Sequence, residues 1–255
     1  MSYRFVALAF GLLLATSAIA SDGLPLANTC RAARATVPVD SLVGQFATSP
    51  EHASLLADAG DGRLDLVRRK LSAMRLDEAT RWRQSAMMFA VQTGQSEVVA
   101  GLLDDGADAN ATALLPGYKE AFLNHALGPA MRKAFARNDM LNDHDTSIGP
   151  ALPIAASCGD VATVDALLRH HADVMAREAP NISDALTAAI LQGDAVIVQR
   201  LLDHGADACA DDHHMHQRQL ESKRGFRTLA QLGQRAGLPA DLTARLTCLA
   251  IASVH

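Results

Sequence analysis

Three stretches of the chain carry the same order of apolar and polar positions and superimpose without gaps. They are SAMMFAVQTGQSEVVAGLLDDGADAN (residues 85–110), PALPIAASCGDVATVDALLRHHADVM (150–175) and DALTAAILQGDAVIVQRLLDHGADAC (184–209). In each, an alanine-rich stretch ends at a glycine: Gly94, Gly159 or Gly193. A second stretch then brings valines and a Leu-Leu pair at helical spacing, at Leu102-Leu103, Leu167-Leu168 and Leu201-Leu202. The copies close at Gly106-Ala107-Asp108, His171-Ala172-Asp173 and Gly205-Ala206-Asp207. The pattern predicts a helix, a glycine stop, a second antiparallel helix and a turn. Small residues at Ala90, Ala155, Ala156, Ala188 and Ala189 let neighbouring helices approach closely. The glycines supply the left-handed residue that ends the first helix. Ser85 and Asp184 stand where an N-cap side chain satisfies orphan amides, and Pro150 is tolerated there because no amide partner is required.

Gly159 and Gly193 are 34 residues apart, and Gly94 and Gly193 are 99 apart, three periods of about 33. In this the chain resembles the ankyrin repeats, through the A-A-x-x-G, V-x-x-L-L and G-A-D stretches. The family's T-P-L-H start is not intact in any copy. It stands as Ser85-Ala86-Met87-Met88, Pro150-Ala151-Leu152-Pro153 and Asp184-Ala185-Leu186-Thr187. Three weaker units are expected in the gaps: an opening one around Gly62, a degenerate one at residues 118–140 split by Gly128-Pro129, and a final pair at 228–250 split at Gly237-Leu238-Pro239. The expected fold class is therefore all-α. It is an ankyrin repeat solenoid of about five to six helix-turn-helix units over residues 50–253, some degenerate, with a C-terminal capping helix pair.

The resemblance implies a concave binding side built from turn tips and from exposed positions on the first helix of each pair. Mapped onto this chain, the helix positions are Gln92, Thr93, Ser157, Leu191 and Gln192. The turn positions include Leu114, Leu115 and Tyr118, in the long connection 111–119. Apolar side chains in an otherwise polar connection either pack on the adjacent turn or anchor a partner. The lone Trp82 is expected at a core edge, opening the second helix pair.

Composition fits a globular chain, with 49% hydrophobic and 20% charged residues. A net charge of -5 removes the broad attraction to phosphates on which non-specific nucleic-acid binding depends. The first twenty residues change the picture: Arg4, an apolar run from 5 to 15 and Ala18-Ile19-Ala20 form an export signal expected to be cleaved after Ala20. The apolar run is shorter than the roughly 20 residues a bilayer span requires, so no stable membrane insertion is expected after cleavage. Residues 21–49 then precede the stack and are expected to cap its first unit. Arg outnumbers Lys by 19 to 4, which suits a GC-rich bacterial genome and hence the periplasm or secretion. The sequons Asn110-Ala111-Thr112 and Asn181-Ile182-Ser183 are then incidental.

Export makes the four cysteines, Cys30, Cys158, Cys209 and Cys248, candidates for disulfides, with three connectivities open. The preferred pair, Cys209 with Cys248, closes a loop of about 40 residues and is worth roughly 4 kcal/mol by chain entropy. Cys30 with Cys158 follows by elimination only, and buried free thiols are the competing reading.

No G-x-S-x-G, H-E-x-x-H, phosphate loop or paired-carboxylate motif stands in a convincing context, so no catalytic residues and no cofactor are expected. His52 and His125 read as lone surface or core histidines. The anomaly is Asp211-Asp212-His213-His214-Met215-His216. His213, His214 and His216 offer ligands to zinc, copper or nickel, against the reading of a solvated loop or partner-contacting tip. The function expected is a non-enzymatic exported module that binds another protein, as a stress-protective or toxin- or enzyme-neutralising factor. The alternative is a metal-binding or metal-buffering protein working through the histidine loop, and a hydrolase is third.

Overall fold

Pairs of helices run in chain order through the computed structural model, which describes residues 39–40, 43, 47, 49–114, 147–148, 150–176, 184–209 and 228–247. The pairs are α1 (Pro50–Gly60) with α2 (Leu64–Ser72), α3 (Leu76–Thr93) with α4 (Ser96–Asp104), and α5 (Ala151–Ser157) with α6 (Val161–Arg169). They continue with α7 (Ala185–Gln192) and α8 (Ala195–Asp203), then α9 (Leu229–Arg235) and α10 (Ala240–Arg245). Two short strands, β1 (Ala113–Leu114) and β2 (Ser147–Ile148), pair antiparallel with Ala113 opposite Ile148 and Leu114 opposite Ser147.

Local sequence sets the helix ends. Asp184 Oδ1 accepts from the Thr187 amide at 2.8 Å, as its expected N-cap role requires. Asp160, Asp194 and Thr228 cap α6, α8 and α9 in the same way. Gly94 and Gly193 close α3 and α7 in the left-handed conformation, at φ 79° and 67°, where a Cβ would be strained.

The helices form two layers. α1, α3, α5, α7 and α9 pack one against the next, and so do α2, α4, α6, α8 and α10. The alanines of the first layer are fully or almost fully buried at Ala86, Ala90, Ala155, Ala156 and Ala189, which keeps the helix axes close. Between the layers lies one apolar core, running from Leu55 and Val67 through Phe89, Leu102, Leu152, Leu167, Ile190 and Leu201 to Leu232 and Leu246. No pair has enough apolar surface of its own to close such a core, so burial on the neighbour is what holds each one.

One expectation needs correction. Ser85 is not an N-cap: α3 begins nine residues earlier, and the Ser85 hydroxyl, inside the helix, donates to the Arg81 carbonyl at 3.3 Å. Asp77 and Glu78 in the first turn favour that start by meeting the positive end of the helix dipole. α3 packs directly on α5 and α4 directly on α6. The degenerate unit expected at 118–140 lies outside the described residues. The expected final pair is present, divided at Gly237-Leu238-Pro239. The signal expected at 1–20 and most of the segment 21–49 lie outside the described residues.

Candidate binding surface

The two Gly-Ala-Asp turns and the His171-Ala172-Asp173 turn share one geometry. Ala107, Ala172 and Ala206 donate back to Leu102, Leu167 and Leu201 carbonyls at 2.8, 3.0 and 2.9 Å. Asp108, Asp173 and Asp207 each accept, through Oδ1, the amide two residues on, at 2.8 to 2.9 Å. His171 occupies the place of Gly106 and Gly205 and takes their positive φ, 60° against 91° and 92°.

Side chains then fasten the first of these turns on both sides. Gln84 of α3 donates from Nε2 to the Asp108 carbonyl at 2.9 Å and accepts the Asp108 amide at 3.1 Å. Asn110 donates from Nδ2 to the His171 carbonyl at 3.1 Å and accepts the Asp173 amide at 2.7 Å. Met175 and Cys209, at the corresponding places of the next two turns, lack such an amide.

Ion pairs join neighbouring helix pairs in the second layer. Arg68 pairs with Asp105, Arg200 with Asp165 and Arg245 with Asp203, at 2.6 to 3.1 Å, and a His170–Asp104 hydrogen bond at 3.0 Å joins two pairs in the same way. Gln199 and Arg245 together hold the Asp203 carboxyl below the usual carboxylate range. These groups are well exposed, so each pair adds little stability. Inside the first pair, the buried Asp58 carboxylate meets Lys70 and, at 3.1 Å, Arg63. His52 is buried at 3% exposure, with its ring 4.9 Å from that of the half-buried Trp82, and burial pushes its pKa down.

The residues expected to bind a partner fall into two places. Gln92, Ser157 and Leu191 occupy matching positions near the C-terminal ends of α3, α5 and α7, which pack in that order, and all three are half-buried. The Thr93 hydroxyl donates to the Phe89 carbonyl at 3.0 Å and the Ser157 hydroxyl to Ile154 at 2.8 Å. Both hydroxyls are thus engaged by their own helices. Beside them Gln192 holds a buried Oε1 that has no hydrogen-bond partner. Leu114 stands elsewhere, in β1, three residues beyond Ala111, whose carbonyl accepts from Gln84 at 3.4 Å. Gln84 and Gln92 are separated by about 12 Å of helix at 1.5 Å per residue. Leu115 and Tyr118 lie outside the described residues.

Sequence reasoning missed Gln84, because it began the first helix of that pair at Ser85. It also gave Asn110 no structural part, although its place after Gly-Ala-Asp was visible. His213, His214 and His216 lie outside the described residues, and among the described ones no three His, Cys, Asp or Glu converge as metal ligands. Cys158 and Cys209 are each disulfide-bonded. Cys30 and Cys248 lie outside the described residues, so the expected Cys209–Cys248 pairing does too. No described helix is long and apolar enough to cross a membrane. Compared with known proteins, the chain matches no protein-family model and no curated protein.

Proposed function

We propose that the chain is an exported ankyrin-type solenoid that works by binding another protein and carries out no catalysis. The observation that supports it best is the row of matching positions Gln92, Ser157 and Leu191 on consecutive packed helices, half-exposed beside a continuous core. A stack of this kind offers a rigid surface that is ready before the partner arrives, which lowers the ordering cost of binding. The turn-to-turn clamp at Asn110 adds to that rigidity. The disulfide bonds at Cys158 and Cys209 suit an oxidising compartment, and with the expected signal they favour the periplasm. There the binder would protect a client under stress or neutralise a toxin or enzyme.

The test is a matched pair of captures. Protein with Gln92→Arg, Ser157→Arg and Leu191→Arg should keep its circular dichroism and lose the specific partner that the unaltered chain recovers from periplasmic extract. Undiminished recovery by the triple variant would move the surface elsewhere.

A further inference from the structure

α3 is 18 residues long, against 7 and 8 for its counterparts α5 and α7. Its additional N-terminal turns make a wall beside the end of α2, and the space between them is a groove of about 460 Å³. The groove is apolar along Leu71, Met74 and Ala79, and Leu76 stands 81% exposed at its edge. Such exposure is unusual for a leucine in this chain, where Val196 is the other large exposed hydrophobic among the described residues.

Two guanidinium groups line the same groove, and their situations differ. Arg68 is satisfied: Nε and Nη2 donate to the Asp105 carboxylate at 2.6 and 3.1 Å, and Nη2 also reaches the Gly101 carbonyl at 3.2 Å. Arg83 is not. Its Nε is buried without an acceptor, and no described carboxylate pairs with it. A half-buried guanidinium with no described carboxylate partner, beside an apolar wall, is a place where a carboxylate gains a charge-assisted hydrogen bond and its apolar neighbours gain burial.

We propose that this groove receives an acidic side chain of a partner protein, a Glu or Asp flanked by apolar residues, with the carboxylate on Arg83 and the flanking residues against Met74 and Leu76. The inference rests on the protein-binding reading and names the chemistry of the partner. A single unmatched cation suits one carboxylate. A polyphosphate would meet the carboxylates of Asp105 and, in the first turn of α3, Asp77 and Glu78.

The probes are end-blocked, labelled peptides alternating Leu with Glu or Leu with Lys, titrated into the purified protein and followed by anisotropy. The Leu/Glu peptide should bind and the Leu/Lys peptide should not. Arg83→Met should weaken binding about tenfold or more, with Arg83→Lys less affected. Leu76→Ala, at a position 81% exposed, should weaken it by about threefold. Ala at Gln92, Ser157 and Leu191 together should leave peptide affinity unchanged. Absence of Leu/Glu binding, equal affinity in Arg83→Met and Leu76→Ala, or loss only in the triple variant would overturn the proposal. If a natural partner is lost by the triple variant but held equally by Arg83→Met, the groove proposal fails while the protein-binding reading stands.

Discussion

Asn110 Oδ1 accepts the Asp173 amide at 2.7 Å across 63 positions of the chain. With the matching bond from Asn110 Nδ2 to the His171 carbonyl, one side chain takes the place of a backbone ladder between two turns. Asn110→Ala should cost about 1–2 kcal/mol in urea unfolding, the value of two largely exposed hydrogen bonds. Asn110→Asp should not rescue it, since a carboxylate keeps the acceptor but sets a negative charge against the His171 carbonyl. A change below experimental error in both variants would show that the clamp adds nothing.

His171 bears a positive φ that its two counterparts, Gly106 and Gly205, adopt without a Cβ. The exposed Asp104 contact at 3.0 Å belongs to the neighbouring His170, so His171 can be changed alone. His171→Gly should therefore stabilise the protein by about 0.5–1 kcal/mol, the relief of left-handed strain less the added freedom of glycine in the unfolded chain. A thermal melt reads it, and a lowered midpoint would contradict the strain argument.

Asp184 is buried at 3% exposure, accepting the Thr187 amide at 2.8 Å and the Thr187 hydroxyl at 3.1 Å. Asp184→Ala removes both and should cost about 2 kcal/mol, the upper end for an N-cap. Asp184→Asn, which keeps the acceptor, should recover most of it. Chemical denaturation of the three proteins decides the matter.

His52 gives stability a pH dependence of known sign. Burial lowers its pKa in the folded state, so the unfolded chain holds the proton more tightly. The stability this group contributes is complete above its unfolded value of about 6.5 and falls as the pH drops through and below it, levelling off beneath the folded value. Melting temperatures should decline more steeply from pH 7.5 to pH 5 in the unaltered protein than in His52→Gln. Parallel slopes would remove His52 as the source.

Much of the fold was legible because its rules are local. Gly94, Gly193, Asp184 and the Leu-Leu pairs each mark one end or one face of a helix, and each stands where its chemistry requires. The start of α3 was not legible. Of residues 76–84 only Ala79 is buried, so no apolar stripe announces a helix there, and Arg75 offers no side-chain cap. The spacing of 99 residues between Gly94 and Gly193 suggested an intervening unit. Among the described residues that interval holds α4, β1, β2, α5, α6 and α7, and residues 115–146 lie outside them. Of the candidate surface, the row at Gln92, Ser157 and Leu191 came from the family resemblance mapped onto the copies. The groove did not, because it is formed by the irregular length of α3 and by residues distant in sequence, Arg68 and Arg83 on either side of Met74.

The two-residue pairing of Ala113-Leu114 with Ser147-Ile148 brings the departure and return points of residues 115–146 side by side. The clasp thus fixes the two points at which any insert joins the stack, and a graft made at that seam meets the adjoining hairpins at a set spacing.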